Sequence, residues 1–575
     1  MLTQAHREFL IRWCLVRLQG GPPVKSIAYG IFSVGHCFAR HGSNPFFEES
    51  TSFNCYRGVA GNGGEIDEGT IYFDGGPEDR QKFQAQCERS TSALRELGIC
   101  PGKVVALLLH NEPLLLELML ASRALGAHYC LVNWHFKAAE VRHVLSDSKA
   151  EVLIVHADLV GQIEEGIPDE VQVFIAWPRE RTCKALKIDD VSGESARKYP
   201  TWGAQRDALV RPAITPDRPG SVMVYTSGTT GMPKGIRRMP PTPEQIELYA
   251  QTARIALGIQ PEMRALVSAP LYHSAPATYV LQAVLSDAHL WIEPRFDAEE
   301  TLRLIDSQQI THAYLVPTMY RRLLQLPAEV RRRYNLSSMR FVASTGAPCP
   351  QQTKREMIDW WGPIIHESYA ASELGWITHI DSEESLRKPG SVGRPLPGAV
   401  VKVFSEEGEE LGRGIVGLIH ARHGAVPDFT YANNDQARRE LERDGMWTLR
   451  DVGFLDSDGY LYIVDRHSDM VISGGVNIYP AEIETVLATM PGVTDCVVFG
   501  VPDDEFGESL LAAVQPIPGA EIDVAKVQSF LRERIANYKV PRWVVFHEQL
   551  PREDTGKIFK RKLRDPYWKG TERRI

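Results

Sequence analysis

A chain of 575 residues is too long for one ordinary core, so roughly two to four domains are expected. Its 43% hydrophobic and 24% charged residues are those of a soluble globular protein. A net charge of −9 argues against a nucleic-acid partner, which needs a basic face, and the basic stretch from Lys557 to Ile575 reads as a solvated helix face and tail.

In chain order, REFLIRWCLVRL (7–18) is apolar but interrupted by Arg12 and Arg17. It lacks the unbroken apolar run and small-residue cleavage site of a signal peptide, and a short amphipathic helix touching a membrane surface is the alternative. Residues 1–75 read as a divergent N-terminal region, because GVAGNGGEIDEGTIYFDGG (58–76) is glycine-rich and weakly patterned. From about residue 80 the pattern is regular. RQKFQAQCERSTSALRELGI has helical spacing, KVVALLL reads as a strand, PLLLELMLASRALGA as a helix and YCLVN as a strand. The run VVALLLHNEPLLLELML is broken by His110, Asn111 and Glu112 and is no membrane span. AAEVRHVLSDSKA and EVLIVHA repeat the helix–strand pair, which points to α/β layers with parallel strands.

A second alternating series follows residue 235, from the helix PEQIELYAQTARIALGI to the strand MRFVAST. Residues 391–465 turn to strands and hairpins, with Asp458-Gly459 as a turn. After Arg466 a smaller unit begins, giving an expected large domain over 76–467 and a C-terminal domain over 468–575. The expected fold is α/β: a large N-terminal domain of layered α/β subdomains plus a β-rich subdomain, and a small α+β C-terminal domain. The nine cysteines, including Cys349, form no C-x-x-C pair and are odd in number. That argues against disulfides and a zinc site and suits a cytoplasmic protein, with Cys349 a buried spectator rather than a nucleophile.

The most informative stretch is YTSGTTGMPKG (225–235), preceded by the strand-like SVMVYT. Gly228, Gly231 and Gly235 let the backbone approach a ligand, and successive N–H groups can form an anion nest. Thr226, Ser227, Thr229 and Thr230 add hydroxyl donors, and Lys234 adds a positive charge. It is no Walker A loop, because Lys234 lies between Pro233 and Gly235, where no helix is expected to start.

This stretch resembles the phosphate loop of the adenylate-forming superfamily, and further motifs follow in family order from about residue 80 to 565. PLYHSAP (270–276) is similar to the motif whose His273 lies by the acyl and ATP site. STGAP (344–348) is similar to the segment along the adenine, with Gly346, Ala347 and Pro348. ESYAASE (367–373) resembles Y-G-x-T-E, which implies that Tyr369 stacks on adenine, with Ala370 beside it. It also implies that Ser372 contacts phosphate and Glu373, with Thr226, binds Mg²⁺. Asp451 matches the ribose-binding aspartate and Arg466 the arginine next to the hinge, here Ser468. Ser473, Gly474 and Gly475 resemble the loop beside the CoA pantetheine tunnel. PREDTGKIFKRKLR (551–564) places Lys557 on the catalytic lysine. Joint order and spacing carry this resemblance; no residue does so alone.

The resemblance implies a two-step ligase with a mobile C-terminal domain. ATP and a carboxylic acid form an acyl-adenylate with release of pyrophosphate; CoA then displaces AMP. Lys557, Glu373 and His273 are the expected catalytic group. His273, Ala275, Thr345, Ala370, Gly375 and Trp376 around the acyl pocket offer no cation for a second carboxylate, which favours a hydrophobic, fatty acid. Bile-acid, steroid or aryl-alkyl acids, and a carrier protein as acceptor, are the alternatives. A silent scaffold of the same fold is the competing class, and retention of Lys234, Glu373, Asp451, Arg466 and Lys557 argues against it. A monomer or homodimer is expected. Three positions depart from the family pattern: Ala370 replaces a glycine, Leu449-Arg450 stands before Asp451 in place of Thr-Gly, and Ser468 alters the hinge.

Overall fold

The computed structural model describes residues 69–73, 76–189, 194–208, 219–226, 233–347, 349–466, 469–473, 476–552 and 558–569. Among these, one sheet runs from edge to edge through Phe429–Tyr431, Lys234–Arg238, Val222–Thr226, His128–Leu131, Val104–Leu108, Ala150–His156 and Gln172–Ala176. The strands from Val222 to Gln172 in that order are parallel. Every residue of the central Val104–Leu108 is buried. A strand covered on both faces needs an unbroken apolar run, which is why VVALL does not alternate.

A second sheet runs through Arg394–Pro395, Gly375–Ile380, Ile365–Ala371, Phe341–Ser344, His312–Tyr314, Arg264–Val267, His289–Ile292, Ile71–Phe73 and Gly76–Pro77. Ile71–Phe73 pairs in parallel with His289–Ile292, and Tyr72 stacks on Trp291 with ring centres 3.9 Å apart. Ile71–Phe73 of this sheet therefore lies inside the stretch read as a divergent N-terminal region. Three residues are too few for periodicity to register. The helix Pro243–Leu257 shows how local signals fix an element. Thr242 and Gln245 form a capping box at its start, and Gly258 ends it at φ +68°, a conformation costly for other residues.

Ala399–Phe404, Gly417–His423, Met446–Leu455 and Leu461–Arg466 form an antiparallel sheet, and the Gly459 N–H closes the Asp458-Gly459 turn on the Asp456 carbonyl at 3.1 Å. The C-terminal unit has a long antiparallel pair, Val493–Asp503 with Gly507–Pro516, and a parallel neighbour Trp543–Phe546. Its core is separate and includes Val471, Ile483, Leu487, Val498 and Leu531. No described helix is long and apolar enough to cross a membrane. The six described cysteines are free thiols, and burial pushes the Cys349 thiol well up, so it stays protonated.

The motifs share one edge. The segments 268–273, 345–347 and 372–373 each follow the carboxyl end of a strand in the second sheet, and residue 226 ends a strand of the first. Open α/β sheets bind ligands at that end.

Two histidines of the second sheet make stability depend on pH. His312 is buried and bonds Thr311 Oγ1 at 2.7 Å, and His366 lies flat on Phe341 with centres 3.8 Å apart. Burial pushes both down to about 4, with Arg340 adding to the effect on His312 and His379 to that on His366. Folding keeps them neutral while the unfolded chain protonates near its ordinary value. Their contribution is therefore whole above about pH 6.5 and is lost as pH falls toward 4. The urea midpoint should drop between neutral pH and about pH 4.5, and His312→Gln with His366→Gln should make that drop shallower; equal slopes would refute this account.

Candidate active site

Tyr369 lies near the end of Ile365–Ala371, while Asp451 and Arg466 face each other across two strands of the antiparallel sheet. The Tyr369 hydroxyl donates to Asp451 Oδ2, and Arg466 Nε donates to Oδ1 at 3.2 Å. Asp451 is 5% exposed. A buried carboxylate is costly unless paired, and here both oxygens are used. Burial and the Asp451 charge push the Tyr369 phenol well up, so it remains a donor. Thr345 Oγ1 donates to the Ser368 carbonyl at 2.7 Å and fastens the 345–347 segment, with Gly346 at φ +92°, to the Tyr369 strand. A β-bulge falls between Tyr369 and Ala370. Ala370 is not among the left-handed residues, so its methyl is accommodated without that backbone strain.

Lys234 pairs opposite Thr226 and opens a strand, so no helix starts at the lysine, as expected from its neighbours Pro233 and Gly235. A Cβ on Gly235 would come within 2.5 Å of the Tyr225 ring, so the close strand approach requires glycine there. The Lys234 ammonium lies 5.5 Å from the centre of the Tyr431 ring, and the Tyr431 hydroxyl donates to Glu373 Oε1 at 3.0 Å. Arg238, on the same strand as Lys234, donates through Nη1 to the Glu373 carbonyl at 3.0 Å and through Nη2 to the Ser372 carbonyl. The Ser372 and Ser274 hydroxyls are 3.1 Å apart. The turn bearing Ser372 and Glu373 is thus fastened from three elements. Glu373, a hard carboxylate oriented by one oxygen, fits a magnesium ion by its donor chemistry.

His273 stands at the N-cap position of the helix Ser274–Leu285 without a side-chain capping bond, and its ring lies 4.3 Å from that of Tyr272, which meets Trp134 edge-on at 4.6 Å. Buried Asn111 holds this segment: Nδ2 donates to the Ala269 carbonyl at 2.9 Å, and Oδ1 accepts from the Leu271 N–H at 2.8 Å. Ala275, Ala370 and Tyr249 pack on the same apolar cluster as buried Trp376, and the Tyr249 and Trp376 rings lie 5.2 Å apart. Gly375 takes φ +69°, with Val426 against the place a Cβ would occupy.

The structure thus brings together Tyr369, Asp451 and Arg466 in one group and Lys234, Glu373 and Ser372 in another. Ser473 lies in the C-terminal sheet, opposite Gly507. Ser227, Gly228, Thr229, Thr230, Gly231, Pro348, Ser468, Gly474, Gly475, Lys557 and the side chain of Thr226 lie outside the described residues. Sequence reasoning missed Arg238, Tyr431, Tyr249 and Asn111. Asn111 did leave a signal, the polar HNE break in an apolar run. Arg450 takes φ +61°, the backbone that the usual glycine would adopt without strain.

Residues 79–426 match the model of the AMP-binding enzyme family, and 482–557 that of the AMP-binding enzyme C-terminal domain. The chain is 31% identical to an indoleacetate–CoA ligase of Aromatoleum aromaticum over 83% of this chain and 91% of the relative. It is 31% identical to the long-chain-fatty-acid–CoA ligase FadD13 of Mycobacterium tuberculosis over 84% and 92%. The solved structure of ATP-bound MatB from Rhodopseudomonas palustris, 27% identical, superposes with a TM-score of 0.77 over 90% of this chain and 99% of MatB. Apo MatB superposes with 0.64 over 88% and 97%. Matched through both domains and along most of its length, the chain belongs to the AMP-binding enzyme family, the adenylate-forming superfamily, in its acid–CoA ligase branch.

Proposed function

We propose that the chain is an ATP- and Mg²⁺-dependent ligase joining a hydrophobic carboxylic acid to CoA. One observation carries this reading: the Tyr369–Asp451–Arg466 group and the Lys234–Tyr431–Glu373 group flank a single stretch of chain, 369–373, in which Ala370 pairs opposite Trp376, itself packed on Tyr249. Adenosine belongs at the first group, the phosphates at the second. The rings of Tyr249 and Trp376 favour an aryl or aryl-alkyl acid. The fatty acid expected from the sequence is the second reading, supported by the likeness to FadD13; the likeness to the indoleacetate ligase supports the first.

Adenylation turns a carboxylate with no usable leaving group into a mixed anhydride. The carboxylate attacks the α-phosphorus in line, and pyrophosphate departs. The reaction needs positioning and fixed positive charge more than covalent help. Lys234 supplies charge at the phosphate end, and Lys557 is assigned to the incoming carboxylate and the α-phosphate. Glu373 and Thr226 would hold Mg²⁺, which neutralises phosphate charge when bound. The thiol of CoA then attacks the acyl carbonyl and AMP leaves, with Ser473, Gly474 and Gly475 assigned to the pantetheine arm. The better overlay on ATP-bound than on apo MatB supports reading the present domain arrangement as the ATP-engaged one.

Pyrophosphate release should appear with hydrophobic acids, give acyl-CoA when CoA is added, and fall by about a hundredfold or more in Lys557→Ala. Aryl-alkyl acids should outpace long-chain fatty acids; the reverse order selects the second reading, and no release with any acid refutes the ligase. Arg238→Met frees the Ser372–Glu373 turn. It should raise the Mg²⁺ concentration giving half-maximal activity while leaving AMP affinity unchanged, and Arg238→Lys should restore part of the loss. An equal loss of AMP affinity would show a general structural role instead.

A further inference from the structure

Asp495 joins the two domains and the base of the lysine-bearing loop. It lies on the C-terminal strand Val493–Asp503, with its side chain 12% exposed. Its Oδ1 accepts from the Cys496 N–H at 2.8 Å, which orients the carboxylate. Its Oδ2 accepts from Arg321 Nη1 at 2.7 Å and from Arg552 Nη2. Arg321 sits on the large-domain helix Pro317–Leu324. Arg552 stands five positions before Lys557 in the sequence. Its backbone bridges Ile558, and the Phe559 N–H bonds the Pro551 carbonyl at 2.9 Å, so the loop bearing Lys557 is closed at its base. Just beyond, Lys560 Nζ meets Glu484 Oε1 at 3.1 Å within the small domain.

One carboxylate thus pairs with two guanidinium groups, one from each domain. The Arg552 bond lies inside the small domain and survives any rigid rotation of it. The Arg321 bond crosses between the domains and cannot. We infer that Asp495 and Arg321 are positioning residues for adenylation: their ion pair latches the small domain against the large one in the ATP-engaged arrangement, and it opens before CoA is used. This rests on the reading of the arrangement as ATP-engaged.

Arg321→Met removes only the interdomain bond and leaves Asp495 paired with Arg552. Adenylation, followed by pyrophosphate release with hydroxylamine as trap, should fall about tenfold, the scale of one charge-assisted hydrogen bond. Thioester formation from supplied acyl-adenylate and CoA should be unchanged or faster, and Arg321→Lys should recover part of the adenylation rate. Equal loss in both half-reactions, or in neither, overturns the latch. A second readout needs no acid: fluorescent labels on the two domains report their separation with a non-hydrolysable ATP analogue. The wild type should populate the closed separation and Arg321→Met a more open one. An unchanged distribution overturns the latch, whereas absence of turnover in the wild type would overturn only the ligase reading.

Discussion

The buried carboxylate of Asp451 is the interaction on which the site depends. Removing a carboxylate from water costs several kcal/mol unless partners replace the lost solvation, and Asp451 spends one oxygen on Tyr369 and the other on Arg466. Tyr369 belongs to the long mixed sheet, Asp451 and Arg466 to the antiparallel sheet, and Arg466 is the last described residue before the domain boundary. A single buried charge therefore ties the two sheets together at this point, beside the apolar contacts they share, sets the proposed adenosine subsite and anchors the strand that leads to the small domain.

The proposed phosphate side follows the same logic with a cation. Arg238 places a guanidinium under two backbone carbonyls, so the turn bearing Ser372 and Glu373 is held by the strand that also carries Lys234. Both subsites then hang on 369–373, whose bulge lets the strand switch from core packing to site lining. Asn111 does the equivalent for the proposed acyl side by satisfying backbone groups at Ala269 and Leu271. Side-chain pairs thus orient the polar groups of the site, while Arg238 and Asn111 hold the backbone that carries them.

Much of this was legible in the sequence, for identifiable reasons. VVALL and its neighbours announced a buried parallel sheet because both faces are covered, and PEQIELYAQTARIALGI read as a helix, whose ends the structure sets at Thr242 and Gly258. The glycine–hydroxyl–lysine loop and the motifs after it pointed to adenylation because they follow strand ends in family order. What was illegible depends on contacts far apart in the chain. Ile71–Phe73 has no periodicity of its own and is defined by its partner Trp291 strand. Arg238 reads as one more solvated charge until the turn it binds, more than a hundred positions away, is known. The substitution at Arg450 was visible, but not that it keeps a left-handed backbone, a strain of about 1–2 kcal/mol that the surrounding sheet must offset.

The distribution of apolar and charged contacts also explains how such a chain can change shape cheaply. The small domain buries its own core, including Ile483, Val498 and Leu531, so it need not borrow apolar surface from the large domain to stay folded. The contact at Arg321 and Asp495 is an ion pair only partly shielded from water, the kind of bond worth about 1 kcal/mol or a little more. Breaking it exposes groups that water solvates well, whereas parting two apolar faces would cost about 25 cal/mol for each Å² exposed. A latch of charge between self-sufficient cores can therefore be firm enough to bias one arrangement and weak enough to release, whereas the Asp451 carboxylate, buried and bonded at both oxygens, joins two sheets within the large domain.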